Sequence, residues 1–440
     1  MSCGVSLYNP LVGAVAYMMI YQLSPEAQWW GKPLMGLGIR YSLWAAMAMV
    51  AGMITQLGTR RSRSLRPMFA LWEILTVVIV LIAVAGYLVH EVVYPVQTVI
   101  MDKFWKMLFF VLCFTRLVTT RRHLLVVAWV LVVGSLLLGH KAYDTPASEF
   151  VSGRLTSVGG PDFCDSSGFA AHMAAMLPLI GATFLVTRRW WLRLIPMIAG
   201  AFTVNAIILC RTRSAFVALI VGAATAVVMA PRSWRWKMYP LVIVGAVGAY
   251  SLMDDYFVNR MRTMQTAEQR ENDAAITLRH DIWRAGIQMI RDNPLGIGIG
   301  NFTRRIGEWD PLVRWRSAHN TFLVCAAELG IPGLIVFVLL VGLSLGQLHL
   351  VYRAADATHD PAGMRMWVYA SLLSMVMYMT AGQFTEKFYS ESLWWVLALP
   401  TCLRRIALGE RQAAATVADA PWRAELPEDM DDEPLPVPAS

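Results

Sequence analysis

Residues 68–88 read MFALWEILTVVIVLIAVAGYL, a nearly uninterrupted apolar run long enough to cross a hydrocarbon core about 30 Å thick. Runs of this kind recur along almost the whole chain. With a window of about 19 residues they fall near 5–22, 39–57, 68–88, 98–116, 123–140, 167–187, 191–210, 214–230, 237–253, 321–348, 366–383 and 392–409, about twelve in all. Of the 440 residues, 57% are hydrophobic and only 15% charged, with a mean hydropathy of +0.49. This composition excludes a soluble enzyme, a secreted disulfide scaffold and a disordered regulator. The expected fold is an all-α polytopic membrane protein.

The net charge of +8 and pI near 9.3 do not indicate a nucleic-acid binder, because the basic residues come in short clusters between apolar runs rather than on one face or in one tail. Membrane lipids are the expected surroundings, and the clusters follow the positive-inside rule. Arg60, Arg61, Arg63 and Arg66 follow the second run, while the next loop, Glu91 to Asp102, carries no Lys or Arg. Arg121 and Arg122, then Arg188, Arg189 and Arg193, then Arg232, Arg235 and Lys237, then Arg353 and Arg365, then Arg404 and Arg405 all fall on the same side. Every second loop is basic, which predicts cytoplasmic termini. The N-terminus has neither a charged n-region nor a cleavage site, so the first run reads as a retained span. Six cysteines are scattered without CxxC spacing, and no metal site or disulfide framework is indicated.

This topology divides the chain into 1–253 with nine spans, 254–319 as one long outer segment, 320–409 with three more spans, and an acidic, proline-interrupted tail, 410–440, that reads as disordered. Two shorter pieces also face outward: Lys141 to Ser166 and the tight connection Arg211 to Ser214. In the long segment, Ile276, Leu278, Ile282, Trp283, Ile287 and Ile290 recur at helical spacing, and Asp292-Asn293-Pro294 supplies a stop. An amphipathic helix on or near the membrane surface is expected there. Gly296, Gly298 and Gly300 follow. Their loop has amides that suit an anion, but it follows a helix and misses the dinucleotide fingerprint, so a plain turn is the simpler reading.

Candidate chemistry lies among polar residues at the outer ends of the runs. Arg211 and Arg213 sit in Cys210-Arg211-Thr212-Arg213-Ser214, Arg279 near the start of the amphipathic pattern, and His319 in Ser317-Ala318-His319-Asn320. A guanidinium offers a planar fork of donors matched to phosphate oxygens and stays charged at any working pH. Arginines at headgroup level therefore suit a lipid-held diphosphate, or else simply reach for water and headgroups. A histidine titrating near neutral pH is suited to take a proton. The remaining histidines look like ordinary loop, span-end or packed residues.

Three stretches resemble the O-antigen ligase and polymerase family: Thr212-Arg213-Ser214-Ala215-Phe216; Arg279 and Trp283 through Asn293-Pro294-Leu295-Gly296-Ile297-Gly298-Ile299-Gly300-Asn301-Phe302; and Ala318-His319-Asn320-Thr321-Phe322-Leu323 with Glu328-Leu329-Gly330-Ile331-Pro332-Gly333-Leu334. They occur in the family's order, over roughly residues 150 to 345. The resemblance implies a GT-C-like, metal-independent glycosyltransferase of the bacterial inner membrane with a periplasmic active site. Its donor would be a glycan on undecaprenyl diphosphate and its acceptor lipid A-core, with no cofactor. Carried onto this chain, His319 would activate the acceptor hydroxyl, Arg213 and Arg279 would hold and stabilise the departing diphosphate, and Arg211 and Asn320 would contact substrate. Where the family often carries Asp-Pro-Asn, this chain has Asp165-Ser166-Ser167, so Asp165 either caps the sixth span or touches a sugar. A polymerase extending lipid-linked chains, or a transferase to protein hydroxyls, would use the same groups. A transporter or flippase is the reading of a different class, but it favours ionisable groups at mid-membrane and repeated halves, whereas these charges cluster at span ends.

Overall fold

The computed structural model describes residues 2–28, 31–35, 40–57, 70–90, 95–151, 153–156, 158–230, 232–251, 268–357 and 363–418. The arginines of the loop after the second run and the acidic stretch from 419 onward lie outside them. The described residues are helical and irregular, with a single isolated bridge between Val151 and Arg154. The longer helices are α1 (Pro10–Leu23), α2 (Tyr41–Leu57), α3 (Leu71–Val89), α4 (Pro95–Leu117), α5 (Arg121–Asp144), α6 (Ser166–Val186), α7 (Leu194–Cys210), α8 (Arg213–Met229), α9 (Arg232–Ser251), α10 (Glu268–Asp292), α11 (Thr321–Glu328), α12 (Gly330–Ala357), α13 (Gly363–Gly382) and α14 (Glu391–Ala418).

Every apolar run overlaps a helix, but among the described residues only five segments are long and apolar enough to cross a membrane: Leu71–Val89, Arg121–Asp144, Ser166–Val186, Trp190–Cys210 and Gly330–Ala355. Pro10–Leu23 and Arg213–Met229 are apolar but shorter. Others are diluted by charge, as α4 is by Asp102, Lys103 and Lys106. The run at 321–348 is not one helix: it breaks at Leu329, because Gly330 takes a left-handed φ of +73° that ends α11 and starts α12 in a new direction. The last helix runs past 409 to Ala418. The amphipathic helix starts at Glu268, well before its apolar pattern, since polar helix formers leave no periodic signal. Arg279 therefore lies in mid-helix.

Helix α6 is the central post. It packs on α7 and α13, while α8 packs on α13, α5 on α7, and α12 between α3 and α14. Small residues permit the close approach: Ala171 of α6 meets Ala218, Met377 and Ala381, and the Ser374 hydroxyl donates to the Ala175 carbonyl at 2.6 Å. Apolar side chains such as Leu81, Ile220 and Val247 point outward and stay exposed, a surface that needs hydrocarbon around it.

Two ionic groupings mark opposite ends of the bundle. At one, buried Glu73 on α3 accepts from Arg116 at 2.8 Å and from Arg405 at 2.9 Å, and Arg121 pairs with Glu410 nearby in the chain. A buried carboxylate is tolerated only when paired in this way. The cluster brings together basic residues that the charge pattern assigns to one side. Helix α14 then rises from Arg405 to Glu391, about 20 Å at 1.5 Å per residue, to reach the other grouping.

Candidate functional site

The second grouping is built where four loops converge: residues 145–165, the α7–α8 turn, residues 293–320 and the α13–α14 connection. Helix α10 supplies its outer wall. Its buried face, Ile282, Ala285 and Met289, packs with Phe302, Ile306, Val313 and Ala318. Trp283 Nε1 donates to the Ala318 carbonyl at 3.0 Å, fixing the residue before His319. Arg279 lies one turn earlier on the same face, within electrostatic reach of His319.

His319 itself has φ +47°, a left-handed conformation unusual for a non-glycine residue. It is held there by Glu386, whose carboxylate accepts from the His319 amide at 3.1 Å and from the Ala318 amide. The His319 ring keeps an exposed face, yet the protein crowded around it, and secondarily the Arg279 charge, lower its pKa below the ordinary imidazole value; Asp165 opposes them. The ring is therefore held in its neutral, proton-accepting form around neutral pH. Burial pushes the Glu386 carboxyl up, against the two amides and Lys387.

Asp165 takes the capping role and has a second partner within the protein. It is the N-cap of α6, accepting from the Gly168 amide at 2.6 Å, and its other oxygen meets buried Lys387 at 3.1 Å. A Cβ at Gly168 would meet Lys387 Nζ, so a larger residue there would displace the lysine end from Asp165. Asn320 caps α11, accepting from the Phe322 and Leu323 amides at 2.9 and 3.0 Å. Its carbonyl oxygen is thus committed to the backbone, while its amide nitrogen reaches toward Gln383 at 3.5 Å. Arg211, in left-handed conformation at the end of α7, donates to the Gly153 carbonyl at 2.5 Å and lies over Phe150 at 6.0 Å. It ties the 145–165 loop to the α7–α8 turn, again a structural task. Arg213 opens α8 with an exposed side chain, at the helix end that favours anions.

The Gly296–Gly300 loop is a turn, and its amides do face an anion: the carboxylate of Glu328. The Gly300 and Phe302 amides each donate to it at 2.8 Å, and the Tyr389 hydroxyl donates as well. The loop wraps the α11–α12 break so closely that a Cβ on Gly296 would lie 2.5 Å from the Glu328 carbonyl oxygen, and one on Gly330 would lie 2.6 Å from that of Pro294. This loop is no phosphate cradle; its amides are taken up in locking the α11–α12 break.

The structure thus brings His319, Arg279 and Asp165 into one electrostatic group and adds Glu386 and Lys387, which the sequence reading passed over. Their signal was a pair of opposite charges in the short outer link between two apolar runs. No group of His, Cys, Asp and Glu with metal-holding geometry occurs among the described residues.

An all-helical membrane protein with a neutral histidine and arginines gathered at one end of the bundle is the class that fold and site define. Residues 198–338, less than half of the chain but spanning Arg211, Arg213, Arg279 and His319, match the family described as O-antigen ligase. The match falls on the segment that carries the motifs resembling that family. No curated protein matches the chain.

Proposed function

We propose that this protein transfers a glycan from undecaprenyl diphosphate to an acceptor sugar, lipid A-core, at the periplasmic face of the bacterial inner membrane. In this reading the chain crosses the bilayer about twelve times with both termini in the cytoplasm. The observation that carries the proposal is His319, its backbone held by Glu386 and the preceding Ala318 by Trp283, its pKa lowered, its ring open on one face and within electrostatic reach of Arg279 in the family-matched segment.

The chemistry follows from that arrangement. The acceptor hydroxyl gives its proton to His319 as its oxygen forms a bond to the anomeric carbon of the donor. The bond from that carbon to the diphosphate oxygen breaks, and the electron pair leaves with undecaprenyl diphosphate. Negative charge grows on the leaving oxygen, and Arg279 and Arg213 neutralise it. The donor is already activated, so the displacement needs no nucleotide.

The test is transfer by purified protein in detergent, supplied with undecaprenyl-diphosphate glycan and lipid A-core. His319→Ala and Arg279→Ala are expected to abolish product while still inserting in membranes. Full activity in either variant removes that residue from the mechanism, and longer lipid-linked chains formed without lipid A-core would make the protein a polymerase.

A further inference from the structure

A cavity of about 600 Å³ opens at the same end of the bundle, between the second half of α1, the start of α4, residues 159–164 and the first residue of α14. The volume suits a small organic ligand. The lining is polar in a specific way. The Tyr21 hydroxyl donates to Asp162 at 2.8 Å, Lys103 pairs with the same carboxylate, and the Tyr17 hydroxyl donates to Glu391 Oε1 at 3.1 Å. The other Glu391 oxygen, Oε2, is buried without a hydrogen-bond donor from the protein. A buried acceptor left so is costly unless something donates to it.

At least two carboxylates stand against one ammonium here, so the cavity does not suit a diphosphate. Carboxylates accept from ligand hydroxyls, Lys103 donates, and the half-buried Tyr21 ring lines the cavity. Together these match a sugar ring, which has hydroxyls around its rim and a C–H face. The cavity also adjoins the transfer centre. Glu386 holds the His319 amide and Glu391 lines the cavity, and the five residue-to-residue steps from one to the other span at most about 18 Å. The Glu391 amide itself donates to Asp162 at 3.3 Å.

We propose that this cavity is a saccharide subsite, in which Glu391 and Asp162 accept from the hydroxyls of a sugar residue a short distance along the glycan from the reacting one. The subsite rests on the transferase reading for its purpose, but not for its chemistry. The sugar belongs either to the lipid-linked donor or to the acceptor.

Cys164 makes the site accessible to experiment: it lines the cavity and is exposed, whereas Cys113, Cys210, Cys325 and Cys402 are buried. The probe is the free oligosaccharide released by mild acid from the undecaprenyl-linked glycan, carrying neither lipid nor diphosphate. It is expected to slow maleimide labelling of Cys164, read by mass spectrometry, at least fivefold in the full-length protein and equally in His319→Ala. Glu391→Gln should raise the concentration needed at least tenfold, and Tyr21→Phe, which keeps the ring, severalfold. In the transfer assay the same variants should raise KM for donor or for acceptor, whichever supplies the sugar, and leave kcat within about threefold. Absence of protection in the wild type overturns the subsite, as does protection that both variants retain or that undecaprenyl phosphate alone reproduces. Transfer without protection sinks the subsite and leaves the transferase standing; protection without transfer does the reverse.

Discussion

Replacing Glu386 with Ala tests how the transfer centre is held. His319 sits at φ +47°, a conformation that costs an L-residue about 1–2 kcal/mol. Two backbone amides bound to one carboxylate oppose that strain, each contributing about 1.5–3 kcal/mol as a hydrogen bond to a charged group. Their loss outweighs the strain that they restrain, so the His319 backbone relaxes and its ring leaves the position beside Arg279. If about 3 kcal/mol of this is felt in the transition state, kcat falls about 100-fold. The assay is transfer to lipid A-core in detergent, with kcat and KM separated and measured across pH. Because Glu386 holds His319 through its backbone, Glu386→Gln, whose amide oxygen accepts from the same N–H groups, should recover most of the rate. In Glu386→Ala the acid limb of the pH profile should move to higher pH, as the ring leaves the surroundings and the Arg279 charge that lower its pKa, and in Glu386→Gln it should stay near that of the wild type. The positioning argument is refuted if Glu386→Ala stays within twofold of wild type. It is refuted equally if Glu386→Gln is as impaired as the alanine, since then the charge and not the geometry matters.

Other outcomes follow from the same contacts. The activity requires neutral His319, so it is present above the histidine's lowered pKa and lost as pH falls through it; Arg279→Gln removes a cation that lowers this pKa, and the acid limb should move to higher pH along with the loss of rate. Asp165→Asn keeps a good helix cap but removes an anion that raises the pKa, so its acid limb should move to lower pH. Glu328→Ala leaves the Gly300 and Phe302 amides and the Tyr389 hydroxyl without their acceptor. At about 1–3 kcal/mol for each buried orphan, the loss of about 3 kcal/mol or more should appear as a clear drop in the thermal midpoint in detergent, and an unchanged midpoint would count against the lock. Gly330→Ala combines left-handed strain with a collision against the Pro294–Leu295 backbone and should reduce the yield of folded protein at least as much as Glu328→Ala.

What the sequence makes legible here is what repeats. Apolar runs and alternating basic loops are sums over many residues, so the helices and the grouping of Arg121 with the α14 basic end survive local error. Boundaries set by one residue are less visible: α11 and α12 are equally apolar, and only the backbone of Gly330 separates them. The site divides along the same line. His319 and Arg279 carry their chemistry in their side chains and stand out in motifs. Glu386 lies 67 residues beyond His319 and acts on its backbone, a contact that no spacing encodes. Glu328 and the Gly296–Gly300 loop show the same limit from the other direction. Both halves of that lock lie in the sequence, a carboxylate inside an apolar run and a row of amides suited to an anion, but no spacing pairs them. A buried acid in a hydrophobic run requires donors close by, and a glycine-rich loop with free amides is the most compact way for a chain to supply them. Where the two features occur together at the edge of a span, an internal ion lock is the reading to weigh first, ahead of a bound phosphate.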